Sequence, residues 1–347
     1  MSGVSATRPS RAGGSTGGPA GEEVRGAPGS GLDFASPASS SLDELVRLRA
    51  VAGALRRRRL SSRAPAAGAA VSRRLGRGLD FAETRSYQPG DDVRLIDWRV
   101  TARSGQAHTK LFVEERERPV LLVVDARASM RFATRGMYKS VMAARLAAVL
   151  GWSAVAARDR VGGFVIGDDW HAEVRPRSGR RGLMALFRAI VAGQRRVPLD
   201  AAGQLGDSLA RLRHVAQPGS TVVVLSDFGG FDDSARRALG AQLHRLDLLA
   251  VQVSDPLERA LPDAGRYELV AADGSADGRL TLDIDGRGDQ RARHAARFVA
   301  RRQAVVDLFA RGGHRHVDVS TTDPLTDAAA RVLARASAPF VVQTGAR

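Results

Sequence analysis

No cysteine occurs anywhere in the 347 residues. That excludes disulfides and thiolate metal sites. It suits a reducing compartment, so a cytoplasmic setting is expected, with any membrane contact made through partners. There is no run of about 18 or more apolar residues, so no transmembrane helix is expected. The N-terminal stretch MSGVSATRPSRAGGSTGGPAGEE lacks the apolar centre of a signal peptide. Neither a P-loop nor a Gly-x-Ser-x-Gly elbow is present. Gly76-Arg77-Gly78 precedes no strand–helix unit with a third glycine, so it does not make a dinucleotide site.

What is abundant is arginine, and the formal net charge is +16. A charge of this size fits either a binder of nucleic acid or anionic surfaces or an Arg- and Ala-rich chain from a GC-biased genome. The arginines are scattered. Only Arg56–Arg59, with Arg63, Arg73 and Arg74 beyond, forms a local cluster. Scatter argues against a phosphate-tracking groove, so nucleic acid is not the expected partner.

Residues 1–40 are rich in Gly, Ser, Pro and Ala and are expected to be disordered. Ser41-Leu42-Asp43-Glu44 has capping-box spacing and opens a helix predicted over 42–59, with a linker to 75. Val120–Val124 is a continuous apolar run, as in a parallel strand buried on both faces. A helix over 138–157 follows, then strands at 161–166 and 171–174, helices at 180–192 and 203–214, strand 221–225, helix 233–246 and strand 248–253. Strands alternating with helices at this spacing predict an α/β fold with a doubly wound, mostly parallel sheet over 119–255. Residues 262–285 read as an antiparallel extension. Within 256–347, a helix at 289–311, a strand at 315–319 and a helix at 325–336 complete the α/β domain.

The most informative stretch is 76–118, GRGLDFAETRSYQPGDDVRLIDWRVTARSGQAHTKLFVEERER. Acids and bases are in near balance, with Phe81, Tyr87, Trp98 and Phe112 among them. A solvated charge run needs no aromatics, and a phosphate groove would reject so many carboxylates. The pattern predicts a small β-rich N-terminal module with fixed ion pairs and a protein-facing surface. The residues taken to form it are Tyr87, Asp91, Asp92, Arg94, Asp97, Trp98 and Arg103. Tyr87 and Trp98 are expected to be buried anchors.

Gly76, Gly78, Phe81, Glu83, Arg85, Tyr87, Pro89, Gly90, Asp91, Asp92, Arg94, Ile96, Asp97, Trp98, Thr101, Ala102 and Arg103, continued by Lys110, Glu114 and Glu117, closely resemble the hallmark of the DUF58 family. These are bacterial proteins with a von Willebrand factor A-like domain. The resemblance covers about residues 42–255. It implies a von Willebrand A-like fold, and partnership with a MoxR-type AAA+ ATPase and other von Willebrand A proteins.

In open α/β sheets ligands sit at the carboxyl ends of the strands, at the switch point. Asp125 ends the first core strand and Asp227 ends TVVVLSD. Asp125, Ser129 and Asp227 are hard oxygen ligands suited to Mg²⁺, and they resemble the metal-ion-dependent adhesion site of von Willebrand A domains, whose first motif is Asp-x-Ser-x-Ser. Here that motif reads Asp125-Ala126-Arg127-Ala128-Ser129, and no Thr precedes Asp227 where one is wanted. Gln204 and Ser208 are the nearest polar residues. Either Mg²⁺ is held through extra waters, or the Arg127 guanidinium neutralises both aspartates in its place. His314-Arg315-His316 has no third ligand and reads as structural. Asp232 reads as a helix cap.

With no nucleotide motif of its own, the chain reads as a non-enzymatic interaction adaptor. The alternatives are a nucleic-acid or anionic-surface binder, using Arg56–Arg59 and the Arg-rich 287–302 helix, and a metal-dependent hydrolase using Asp125 and Asp227.

Overall fold

The computed structural model describes residues 4–7, 36–55, 79–89, 91–114, 119–196, 205–262, 264–271, 280–284 and 288–337. In chain order the strands are β1 (Val4–Thr7), β2 (Leu79–Ser86), β3 (His108–Glu114), β4 (Val120–Asp125), β5 (Val161–Ile166), β6 (His171–Arg177), β7 (Thr221–Ser226), β8 (Asp247–Ser254), β9 (Gly265–Ala271), β10 (Leu280–Ile284) and β11 (Arg315–Ser320). The helices are α1 (Leu42–Arg47), α2 (Arg49–Ala54), α3 (Trp98–Ser104), α4 (Lys139–Ala156), α5 (Arg180–Gln194), α6 (Leu205–Ala210), α7 (Leu212–Val215), α8 (Asp233–Gly240), α9 (Pro256–Arg259), α10 (Gly288–Arg311) and α11 (Leu325–Ser337). Two units form. One is Met1–Ser62 with Pro119–Arg347, and the other is Arg63–Arg118.

The larger unit is built on a six-stranded sheet of order β11-β8-β7-β4-β5-β6. All neighbours are parallel except β5 and β6. Counted from β4, the order is 3-2-1-4-5-6, the doubly wound arrangement. The expected doubly wound, mostly parallel α/β architecture is therefore what forms. Strands β4, β5 and β7 are buried at every residue because helices cover both faces. Side chains of β4 alternate between two cores. Leu122 and Val124 join α1, α2, α4, α5 and α11. Leu121 and Val123 join α6, α7, α8 and α10. Gly163 in β5 lets α5 lie close, since a Cβ there would stand 2.3 Å from Leu186 Cδ1.

Helix α4 is apolar nearly all round, as a central core helix must be. By length and composition it could cross a membrane, which the sequence reading did not anticipate. In the fold, 83% of it is buried inside the unit. The helix expected over 42–59 is two short helices broken at Leu48. Ser41 caps α1 by accepting from the Glu44 amide, but the Glu44 carboxylate turns to Arg145 on α4. Arg56–Arg59 and the linker lie outside the described residues.

Two expectations for the first 40 residues and the extension need correction. Val4–Thr7 is a strand, paired antiparallel with β9. The expected extension, β9 with β10, thus becomes a three-stranded sheet. An unpaired edge of β9 offers backbone donors and acceptors that a short Val- and Thr-containing segment can satisfy. Residues 36–40 are also held: the Ser40 amide donates to Gln194 Oε1 and the Tyr138 amide to the Pro37 carbonyl. The rest of 1–35 lies outside the described residues.

In the smaller unit, β2 and β3 form an antiparallel pair with a bulge between Phe81 and Glu83. The unit is not made of strands and loops alone, because α3 fills the turn between them. Asp97 caps α3 by accepting from the Arg99 and Val100 amides, and Gly105 ends it at φ 73°. That local chemistry outweighs the β-prone aromatics.

Candidate functional site

The site lies where β4 and β7 end side by side, at the point where strand order reverses. Asp125 and Asp227 are both there, 1% and 5% exposed. Each carboxylate is occupied by the chain's own donors. Asp125 accepts from Arg127 Nη2 at 2.7 Å, Arg127 Nε at 3.0 Å, the Arg127 amide at 3.0 Å and Ser226 Oγ at 2.6 Å. Asp227 accepts from Lys139 Nζ at 2.7 Å, the Gly229 amide at 2.7 Å and Ser129 Oγ at 3.4 Å. Arg127 Nη2 lies 3.8 Å from Asp227 and donates to the Gly229 carbonyl.

Sequence reasoning found Asp125, Arg127, Ser129 and Asp227, and the fold brings these four together. It missed Lys139, which is 1% exposed and bridges Asp227 to Glu258 Oε1 at 2.6 Å. Its ammonium also sits 5.9 Å from the Phe132 ring centre. One signal could have found it. Lys139 opens an apolar helix at the end where the helix dipole disfavours a cation, so a buried anion had to compensate. Glu258 was missed too. It closes a capping box on α9 by accepting from the Asp255 amide. Asp255 in turn is fully buried and accepts from the Thr134 amide and hydroxyl and from Thr321 Oγ1. These contacts tie the loop after β4 to the ends of β8 and β11. Of the polar residues considered for a third ligand, Ser208 sits on α6 and Gln204 lies outside the described residues.

The electrostatics follow from burial and pairing. Burial by itself would push Arg127 down, but Asp125, with Asp227 and Asp168 further off, more than offsets it and holds the guanidinium above its ordinary value. Burial would raise Asp227, yet Lys139, Arg127 and the Gly229 amide hold its carboxyl well below the usual carboxylate range. Lys139 loses hydration on burial and is nevertheless raised, by Asp227 and then Glu258. Phe228, next to Asp227, adopts φ 51°, a left-handed conformation that is costly for a bulky residue. It is held there by burial against Phe231 and Phe309.

These residues do not fit a divalent ion as they stand. An ion on the Asp125 and Asp227 oxygens would adjoin a guanidinium and an ammonium. A divalent and a univalent cation about 4 Å apart repel by about 8 kcal/mol at the effective dielectric of a protein site. Among the described residues no group of three or more His, Asp or Glu side chains could hold a metal. His314 and His316 serve β11 instead. His314 accepts from the Leu248 amide and bonds the Leu243 carbonyl, and His316 bonds Gln252. Asp232 caps α8.

In the smaller unit, Asp91 pairs with Arg85 at 2.7 Å, and its backbone carbonyl accepts from the Tyr87 hydroxyl. Asp92 and Asp97 cap a short 3-10 turn and α3. Arg94 and Arg103 are exposed and form no ion pair among the described residues. Among the described residues, Asp91 is thus fixed by an ion pair, and Asp92 and Asp97 by the backbone amides that they cap. Tyr87 is half-buried, but Trp98 is 70% exposed and Val93 60%. The expected burial of Trp98 is overturned. Trp98 is the first residue of α3, directly after the Asp97 cap.

The family model described as "Protein of unknown function DUF58" matches residues 83–305. The uncharacterized protein Rv1480 of Mycobacterium tuberculosis is 32% identical over 237 residues, 68% of this chain and 73% of that protein. The uncharacterized protein MAV169 of Mycobacterium avium is 34% identical over 116 residues, 33% of this chain and 68% of that one. Among solved structures, an aerotolerance-related membrane protein from Bacteroides fragilis aligns with TM-score 0.39 at 15% identity. It covers 63% of this chain and 98% of that one. A von Willebrand factor type A protein from Catenulispora acidiphila aligns with TM-score 0.32 at 13% identity, covering 66% of this chain and 44% of that one. With its hallmark and most of its α/β unit matched, the chain belongs to the DUF58 family.

Proposed function

We propose that the protein is a non-enzymatic interaction adaptor in which two built-in cations, Arg127 and Lys139, take the place of a metal at the sheet's ligand-binding end. The observation that carries this reading is the full occupation of Asp125 and Asp227 by the chain's own donors. An ion entering such a site would have to sit against a guanidinium and an ammonium already paired with its ligands. What the site does have is a rigid set of loops, held by buried pairs, that can present a surface. Exposed Trp98, Val93, Arg94 and Arg103 on the smaller unit supply a second surface of interface character, since Trp and Arg dominate interface energetics. The hallmark resemblance supports a MoxR-type AAA+ ATPase as the partner, with other von Willebrand A proteins in the same assembly, in the cytoplasm or at the membrane through those partners. The experiment is capture of a purified MoxR-type ATPase by the full chain, with and without ATP and Mg²⁺. Saturable capture that Trp98→Ala weakens supports the reading. No capture in either nucleotide state removes that partner.

A further inference from the structure

Beside the buried cations lies an open cleft of about 480 Å³, large enough for two or three side chains of a ligand. Its floor is apolar: Phe132 from the loop after β4, and Leu257 and Leu261 from α9 and the segment after it. Its far wall is α10, which contributes Gln290, Arg293, His294 and Arg297. The cleft is structurally continuous with the site. Glu258, on the near wall, is the residue that Lys139 bridges to Asp227, and Phe132 is the ring beside the Lys139 ammonium.

The polar groups in the cleft are unevenly provided for. His294 is fixed by the Leu257 carbonyl at 2.9 Å. Arg297 has no ion-pair partner among the described residues. Arg293 pairs only with Asp289 one turn back, and that pair is 70% and 67% exposed. Exposed pairs of this kind are weak and readily exchanged. Gln290 Oε1 is buried with no hydrogen-bond partner among the described residues. The cleft therefore combines two available guanidinium forks with an apolar floor.

We infer that this cleft takes an acidic peptide segment of a partner protein: one or two carboxylates on Arg293 and Arg297, and an apolar side chain against Phe132, Leu257 and Leu261. Guanidinium forks pair bidentately with carboxylates. A phosphodiester chain fits less well. Its sugar–phosphate backbone brings no apolar side chain to the floor formed by Phe132, Leu257 and Leu261. The inference deepens the adaptor reading by assigning a partner chemistry to the face next to Arg127 and Lys139.

The test uses the full chain and fluorescence anisotropy with labelled decapeptides that carry two Asp or Glu around a Leu or Phe. A matched set has Asn and Gln in place of the acids, and a labelled single-stranded DNA decamer serves as the phosphate probe. The expected result is saturable binding of the acidic apolar peptides, weaker by about tenfold or more for the amide set. Arg293→Glu/Arg297→Glu should lose a similar factor, as should Leu257→Asp. The paired arginine change lies on an exposed face of α10, so it remains informative even if Leu257→Asp does not fold. No peptide binding, equal binding of the amide set, or peptide binding untouched by the arginine changes would each overturn the proposal. DNA that binds better and displaces the peptides would make this a phosphate site instead. The two readings fail separately. ATPase capture that survives Arg293→Glu/Arg297→Glu keeps the adaptor and removes this cleft from it, whereas peptide binding without ATPase capture keeps the cleft and removes that partner.

Discussion

Lys139 is the residue on which the site turns, and its removal separates structure from decoration. A buried cation bridging two carboxylates leaves uncompensated charge when truncated, at a cost of about 3–5 kcal/mol. Lys139→Met should lower the melting temperature by that equivalent, and Lys139→Met/Asp227→Asn should recover part of it. An unchanged melting temperature in the single variant would mean the pair is solvent-relaxed. The pH dependence follows from the same pair. Asp227 ionises with an ordinary value of 3.8 when unfolded and lower when folded. As pH falls below about 4 the unfolded state takes up the proton first, so stability is lost from there down through the folded value. Lys139 has an ordinary value of 10.5 and is raised in the fold. Its contribution is complete below 10.5 and is lost as pH rises past that into the folded value. The contribution of this pair should therefore be flat across neutral pH, and Asp227→Asn should shallow the acid limb of the denaturant midpoints. Arg127 and Lys139 together also predict metal behaviour. Calorimetry should show no saturable Mg²⁺ or Mn²⁺ binding to the native chain. Arg127→Ser restores the Asp-x-Ser-x-Ser motif but leaves Lys139 on Asp227, so binding should appear only in Arg127→Ser/Lys139→Ala. Tight binding by the native chain would overturn the cation substitution.

At the scale of elements, α1 and α2 prove to be part of the core. Leu45 and Leu48 are fully buried. Trp152 of α4 donates to the Leu45 carbonyl at 3.0 Å, and Arg145 pairs with Glu44. Leu48→Ala should cost about 2–5 kcal/mol, readable as a lowered urea midpoint with an unchanged slope. A loss under about 1 kcal/mol would mean these helices ride on the surface. In the smaller unit the opposite holds. Trp98 is exposed, so Trp98→Ala should change thermal stability by no more than about 0.5 kcal/mol while weakening ATPase capture. A large loss of stability would restore the buried-anchor expectation.

At the scale of the whole molecule, what the sequence determined was whatever depends on local order along the chain. The apolar runs of β4, β5, β7 and β8 and the alternation with helices specify a parallel sheet, because only burial on both faces tolerates such runs. Chain order then places Asp125 and Asp227 at adjacent strand ends. The Arg127 substitution was visible two residues from Asp125, and so was the possibility that it replaces an ion. The caps at Ser41 and Asp232 are spacing rules within one turn. Only the tertiary structure decided the rest. Lys139 meets Asp227 and Glu258 across separations of 88 and 119 residues in sequence, and no periodicity encodes such a meeting. The pairing of β1 with β9 depended on an open strand edge far along the chain. Trp98 reads as an anchor by residue type, but the fold leaves it exposed. Burial, charge pairing across loops and the cleft on α10 are properties of juxtaposition, and juxtaposition exists only once the sheet has formed.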